Sequence, residues 1–326
     1  MSRRVVERVV RIGGVRIQTR IVGEGRPVLL VNGIGTHTAM WAAMEASLGG
    51  GCQLIEFDAP GTGRSGVALW PLTVPALARI AVGVLDTAGV ERADVVGYSL
   101  GGIVSQQIAA QAPGRVRRLV LAGTGVGWGG VPGKAAALLN VVTPLRYWSP
   151  AFYEKTIADL VGGRARTDPD WVRQQGRVRQ QAPPTTWGYF GQLWSVGTWS
   201  TLPWLSRIKA PTLVVTGDDD PLMPAVNSML LASRIPHARL LLAEGEGHLL
   251  LMDANSPTPG AIAEFLAAEE IDRSRTWQGS RTVTSAEARA AIRQAGRQAQ
   301  PWGAAGAVLR RVYPAPRATA RQPPPP

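Results

Sequence analysis

The chain is poor in the residues that would staple it, hold a metal or anchor it in a membrane. Its 326 residues include one cysteine, Cys52, so no disulfide can form within it, and a reducing compartment is expected. Three histidines and one cysteine give no cluster with metal-ligand spacing, so neither a metal nor another cofactor is expected. Charges break every apolar run at the start, Met-Ser-Arg-Arg-Val-Val-Glu-Arg, and no stretch of about 18 apolar residues occurs further on. No signal-peptide core and no membrane span are therefore expected, and the protein reads as soluble and cytoplasmic. A phosphate-cradling loop is missing too. Gly61-Thr62-Gly63-Arg64-Ser65 comes nearest, lacks the Lys-Ser/Thr ending, and reads as a structural turn.

Acidic residues are scarce, 23 against 35 Lys and Arg, and a net charge of +12 would suggest nucleic acid if it were spread over the body. It is not. From Arg273 to Pro326 ten arginines face one acid, Glu287, which accounts for nine of the twelve net charges. The body is only mildly basic, and nucleic acid is not the expected partner. The tail, 273–326, is rich in Pro, Gly, Ala and Arg and ends in four prolines, so it is expected to be mostly disordered. Thr284 and Glu287 form a capping-box pattern before a short Ala/Arg helix to about Ala295. A solvated tail is the plain reading. A tether to an anionic surface or nucleic acid is the functional one.

What is present is a strand–helix alternation. Val6, Val9, Ile12 and then Val15, Ile17, Ile21 flank Gly13-Gly14 as a β-hairpin. Dense apolar runs follow at Val28–Val31, Gln53–Asp58, Val95–Val96, Val116–Ala122 and Thr212–Thr216, with a last strand from Arg239 to Ala243. Such runs are buried on both faces of a parallel sheet. Helical patterns lie between them: Thr73–Ala88, Gly102–Ala112, Ala225–Ile235 and Ser256–Ala268. The fold expected is α/β, a doubly wound, mostly parallel sheet. From Gly125 to Leu205 strand runs vanish and helix-like stretches replace them, at Ala135–Val142, Pro150–Val161, Asp168–Gln181 and Trp187–Trp194. The domain reading is a core of residues 1–124 and 206–272, a helical cap or lid of residues 125–205, and the tail. Seven of the 11 tryptophans fall in the cap. Each alone could be cap core; together they point to an apolar substrate cleft.

Chemistry concentrates at Gly97-Tyr98-Ser99-Leu100-Gly101, between an apolar strand and a helix. Strand, sharp turn and helix with a serine at the apex is the context in which Gly-x-Ser-x-Gly exposes a nucleophile. A serine hydroxyl needs a base within hydrogen-bond reach, and the base needs an orienting acid. His37 lies in the loop after the third strand, and His237 sits beside Pro236 before the last strand and reads as structural. His248 stands on a Gly-flanked loop at the carboxyl edge of the sheet, where Ser99 emerges, and is the best base. Asp220 is the acid preferred, because the loop past Gly217 lets it swing toward His248; Asp218 and Asp219 stay in competition. The order Ser99, Asp220, His248 is the one this fold requires. The oxyanion donors would be the Leu100 N–H and the Ile34 N–H, with Gly33 letting the backbone approach the substrate and Asn32 bracing the loop.

Taken together these residues resemble the α/β-hydrolase superfamily, and within it the intracellular medium-chain-length poly(3-hydroxyalkanoate) depolymerase family. The resemblance covers roughly residues 15–270. It rests on Val31-Asn32-Gly33-Ile34-Gly35, Val131-Pro132-Gly133-Lys134, Arg166-Thr167-Asp168-Pro169-Asp170, Gly217-Asp218-Asp219-Asp220-Pro221-Leu222, Arg234-Ile235-Pro236 and Gly247-His248-Leu249. It implies Ser99 as nucleophile, Asp220 as acid and His248 as base, acting on ester bonds between hydroxyacyl units, with polyester granules as partner. Those enzymes tend to carry Trp after the serine, where this chain has Leu100, which opens the question of substrate length. Hydrolysis of small apolar esters or thioesters by the same triad, and a non-enzymatic binder using the basic tail, are the rival expectations.

Overall fold

In the computed structural model, residues 3–298 are described. Eight strands form one sheet: β1 (Val5–Ile12), β2 (Val15–Val22), β3 (Arg26–Val31), β4 (Cys52–Phe57), β5 (Ala93–Tyr98), β6 (Val116–Ala122), β7 (Thr212–Gly217) and β8 (Ala238–Ala243). Their spatial order is β1-β2-β4-β3-β5-β6-β7-β8. The β1–β2 hairpin turns at Gly13-Gly14, both at positive φ, and joins β4 antiparallel; β4, β3 and β5 through β8 are parallel. From β3 the chain crosses to β4 on one side and returns to β5 on the other. The carboxyl ends of β3 and β5 thus border the switch point of the sheet, where open α/β sheets bind ligands.

Helices cover both faces. On one lie α2 (Val74–Thr87), α3 (Leu100–Gln111), α9 (Ala225–Arg234) and α12 (Ser285–Gln298); on the other lie α1 (Ala42–Leu48), α10 (Pro257–Ala267) and α11 (Arg275–Gly279). The strands feed both cores by simple alternation: Leu29 and Val31 face the first, Val28 and Leu30 the second. Truncating a side chain as enclosed as Leu29 to Ala costs about 2–5 kcal/mol. Local signals set the helix starts. Thr73 caps α2 through its side chain with Pro75 in the first turn, and Ser256 caps α10.

Between β6 and β7 the chain runs through α4 (Ala135–Val141), α5 (Leu145–Trp148), α6 (Pro150–Val161), α7 (Pro169–Gln180) and α8 (Thr186–Gly197). The short α5 has no apolar period of its own and was not expected. Among the described residues no helix is long and apolar enough to cross a membrane.

The short helix expected after Thr284 forms as α12, but the expectation of a mostly disordered tail fails for the rest of residues 273–298. Trp277 of α11 stacks on Phe265 with ring centroids 5.7 Å apart, Arg281 makes an isolated antiparallel bridge to Leu240, and Val283, Ala288 and Ile292 are buried against the core beside α9. The capping box does form: Glu287 N donates to Thr284 Oγ1 at 3.2 Å and Thr284 N to Glu287 Oε2 at 2.7 Å. Burial alone would raise the Glu264 carboxyl, but N–H groups of Thr276 and Arg275 and hydroxyls of Thr276 and Ser274 hold it down to about 2. A few buried apolar side chains outweigh the high arginine content. The rest of the expected tail, 299–326, lies outside the described residues.

Candidate active site

Ser99 sits between β5 and α3 at φ 54°, ψ −119°, the only non-glycine residue with positive φ among those described. Such a conformation costs about 1–3 kcal/mol and persists only where the surroundings impose it. They do so here through crowding. A Cβ on Gly97 would come within 2.6 Å of the Gly101 carbonyl oxygen and closer still to Ser105 Oγ, and a Cβ on Gly101 would overlap the Val31 carbonyl. Strand, turn and helix close up only with glycine at both places. Ser99 N donates to the Ala122 carbonyl at 3.0 Å and Thr124 Oγ1 to the Ser99 carbonyl at 2.7 Å, fixing the apex from β6.

The structure brings the three expected side chains together. His248 Nε2 lies 3.1 Å from Ser99 Oγ, and His248 Nδ1 lies 2.7 Å from Asp220 Oδ2. All three residues are buried. An ionised Asp220 can only accept, so the proton belongs on Nδ1 and Nε2 is left to accept from the serine. The other carboxylate oxygen accepts from Leu222 N at 2.9 Å and Met223 N at 2.8 Å, which locks the acid. His248 N donates to the Val161 carbonyl at the end of α6, and the Tyr98 ring lies 5.1 Å from the imidazole.

The competing acids have other duties. Asp219 pairs with Arg166 at 2.6 Å and accepts from Gly163 N, tying the inserted helices to the acid loop; hydrogen bonding to Arg166 holds its carboxyl below the usual range. Asp218 accepts from Gly245 N at 2.7 Å. Glu246 accepts from the Ser256 and Thr258 hydroxyls at the start of α10. His237 is exposed at the opposite end of β8. His37 is buried with Nε2 2.9 Å from the Val178 carbonyl, and burial holds its pKa below the ordinary value. Gly61–Ser65 wraps the buried Asp58, which accepts from Arg64 N and Thr38 N, as a structural turn should.

Leu100 opens α3, where the first N–H groups have no intrahelical acceptor, and Ile34 follows β3 across the switch point. Both line one cavity with Ser99. Asn32 does not brace the loop as expected: its side-chain oxygen and nitrogen are buried without a hydrogen-bond partner among the described residues. The inserted helices and a loop threonine hold it instead. Tyr147 Oη donates to the Ile34 carbonyl at 2.5 Å, Gly35 N donates to Gln192 Oε1 at 2.8 Å, and Thr36 Oγ1 donates to the Gly33 carbonyl at 2.8 Å. Nothing in the sequence marks Tyr147 or Gln192 for this, because their partners are backbone atoms more than 100 residues away.

The cavity measures about 370 Å³ and is lined chiefly by aliphatic side chains, among them Ile103, Leu138, Val141, Leu193 and Val196. The tryptophans do not form its wall as a group. Only Trp128 reaches it, Trp171 is buried in the core, and Trp148, Trp187 and Trp194 are exposed. A second, smaller cavity meets the first at Ser99 and holds His248 together with Tyr98, Arg146, Tyr147 and Arg179. Among the described residues no group of three or more His, Cys, Asp or Glu side chains is placed to hold a metal ion.

The alpha/beta hydrolase fold family matches residues 26–255. A poly(3-hydroxyalkanoate) depolymerase of Ectopseudomonas oleovorans is 36% identical over 244 residues, covering 74% of this chain and 85% of that protein. RutD of Azorhizobium caulinodans, named for carbamate hydrolysis, is 30% identical over 271 residues, covering 80% and 98%. The enol-lactonase of Burkholderia xenovorans LB400 superposes with a TM-score of 0.70 at 22% identity, covering 80% of this chain and all of that one, and shares the fold.

Proposed function

The chain belongs to the α/β-hydrolase fold family, and from that premise we propose that it is a serine ester hydrolase acting on poly(3-hydroxyalkanoate) or its oligomers. The observation that carries the reading is the hydrogen-bonded run Ser99–His248–Asp220 at the wall of an apolar cavity. Ser99 Oγ attacks the ester carbonyl while His248 takes its proton. Ile34 and Leu100 N–H groups face the developing oxyanion, and Asp220 stabilises the imidazolium. His248 then gives the proton to the departing alcohol. Water, activated by the same imidazole, releases the hydroxyacyl group and frees the serine.

The depolymerase relative supports a polyester substrate, and so does the surface around the cavity. Helices α4 and α8 are apolar on two sides. Leu138, Val141, Leu193 and Val196 face the cavity, while Leu139, Val142, Trp187, Phe190 and Trp194 are exposed. Trp187, Phe190 and Trp194 share one stripe of α8, at the spacing of a helix face. Exposed apolar surface of this kind marks contact with another apolar phase, and a polyester granule is one. A second reading, hydrolysis of small soluble apolar esters, is favoured by the 370 Å³ volume, which suits one acyl chain. In both, the protein works inside the cell without a cofactor. The test is release of hydroxyacid from purified medium-chain polyester granules, with Ser99→Ala beside the wild type. Release abolished in the variant supports the first reading. Cleavage of a soluble ester alone supports the second, and hydrolysis retained by Ser99→Ala overturns both.

A further inference from the structure

Two guanidinium groups line the small cavity beside Ser99, and among the described residues neither pairs with an acid. Arg179, on α7, is 5% exposed, and Arg146, on α5, is 3% exposed. Arg146 Nη1 donates to the carbonyls of Asn140 and Thr143, and its guanidinium lies 4.8 Å from the Tyr147 ring centroid and 5.2 Å from that of Tyr189. Arg179 has less. Nη1 makes one long contact, 3.4 Å, to the Tyr147 hydroxyl, while Nε and Nη2 are buried with no partner among the described residues. The rings of Tyr147 and Tyr153 flank it at 5.6 and 5.9 Å. Half-buried Arg20, by contrast, is met by both Glu45 and Glu56. Taking a charge out of water without a counter-charge is costly, so an unanswered buried guanidinium calls for an occupant. Nε and Nη2 are two donors of the planar fork that matches a carboxylate.

Position says which part of the substrate carries that carboxylate. The cavity holds about 30 Å³, enough for a water or two and of the order of a carboxylate head group. Ser99, Ile34, Val141 and Leu222 line both cavities, but His248 lines only the small one. His248 must hand its proton to the leaving alcohol, so the alcohol departs on the arginine side and the acyl chain lies in the apolar cavity. We infer that Arg179, supported by Arg146, binds the free carboxylate of the leaving hydroxyacid, so that the enzyme cleaves its ester from the carboxyl end of the chain. This rests on the ester-hydrolase reading above. In a 3-hydroxyacyl chain the terminal carboxylate is two carbons from the carbon bearing the ester oxygen, a short reach from Ser99. In the step, the Ser99 Oγ–acyl carbon bond forms as the acyl carbon–oxygen bond breaks, and the serine proton passes through His248 to the alkoxide of the terminal hydroxyacid. Water then supplies the hydroxyl that releases the remaining chain as a carboxylate.

The test compares the linear dimer of 3-hydroxyoctanoate with the same dimer whose chain-end carboxylate is a primary amide. The free acid should be favoured in kcat/KM by about 10- to 100-fold, mostly through KM. Arg179→Met should bring that ratio close to one, and Arg179→Lys should restore part of it. Equal treatment of the two dimers by the wild type, or a ratio unchanged in Arg179→Met, would overturn the inference. A binding arm needs neither hydrolysis nor the arginine variants. Calorimetry of Ser99→Ala should show 3-hydroxyoctanoate binding at least about tenfold more tightly than its amide, with acetate at the same concentration failing to displace it. Equal binding, or displacement by acetate, would contradict a substrate subsite. Failure of the ester reading appears separately, as no cleavage of either dimer.

Discussion

The two cavities that meet at Ser99 differ in size and in charge. One is about 370 Å³, walled by aliphatic side chains from α3, α4 and α8 and from the loop after β6. The other is about 30 Å³, and there Tyr98, Tyr147 and the buried Arg146 and Arg179 of α5 and α7 stand among aliphatic side chains such as Ile157 and Leu160. The first binds by area and tolerates any apolar chain that fits, since each methylene contributes only about 0.8 kcal/mol. The second admits a small anion and penalises a neutral group, because it would leave buried donors unmet. Discrimination by chain length and by charge are thus carried by different parts of the inserted helices, on either side of one nucleophile.

The largest effect belongs to the element both sides share. Ser99→Ala should lower kcat on any ester by a factor on the order of 10⁶, with the apolar and anionic ligands still binding. Asp220→Asn should cost on the order of 10⁴ in kcat by favouring the wrong imidazole tautomer. Asp219→Asn, one residue away, should leave kcat within a few-fold, because Asp219 meets Arg166 and Gly163 N rather than His248. Steady-state kinetics of the pair separates the acid from its neighbour. Ile103→Trp, which fills the apolar side alone, should lower kcat/KM for octanoyl esters by about 10- to 100-fold and leave acetyl esters little changed. An equal loss for both chain lengths would break the division. Tyr147→Phe removes the hydrogen bond to the Ile34 carbonyl and should cost about 2- to 10-fold in kcat.

The smallest effect is a control remote from both cavities. Glu264 has a folded pKa of about 2 against an ordinary 4.5, so its hold on α11 is complete above pH 4.5 and is lost as pH falls toward 2. Protection of the amides of residues 273–298, relative to the intrinsic exchange rate at each pH, should therefore fall over that window. Glu264→Gln should remove the pH dependence without altering the preference between the two dimers.

Much of this was legible because short apolar strands and the Gly-flanked serine carry their context with them. The eight strands, the serine apex and the residues now grouped as Ser99, His248 and Asp220 all follow from local pattern plus chain order. Which of the three aspartates meets His248 is visible only in the structure: Asp220 does, while Asp219 engages Arg166 and Asp218 engages Gly245 N. Arg179 was not legible at all. It lies in Pro169–Gln180 among Arg173 and Arg177, in a polar helix that reads as solvated, and its burial depends on the tyrosines of α5 and α6. Asn32 misled in the other direction, since a polar residue in a loop suggests a brace that Tyr147 and Gln192 supply. The segment 273–298 hid its order behind arginine content. Its buried positions, Trp277, Val283, Ala288 and Ile292, are few but sit where α10, β8 and α9 need cover.

A nucleophilic Ser99 serving both cavities should be the one serine that reacts with an active-site-directed phosphonylating reagent. The most direct measurement is peptide mass mapping after treatment with an alkyl fluorophosphonate, with ester hydrolysis followed in parallel. A single adduct on the Ser99 peptide, formed in step with loss of hydrolysis and absent from Ser99→Ala, is the predicted result. Hydrolysis that persists in fully labelled protein, or an inactivating adduct on another residue, would contradict it.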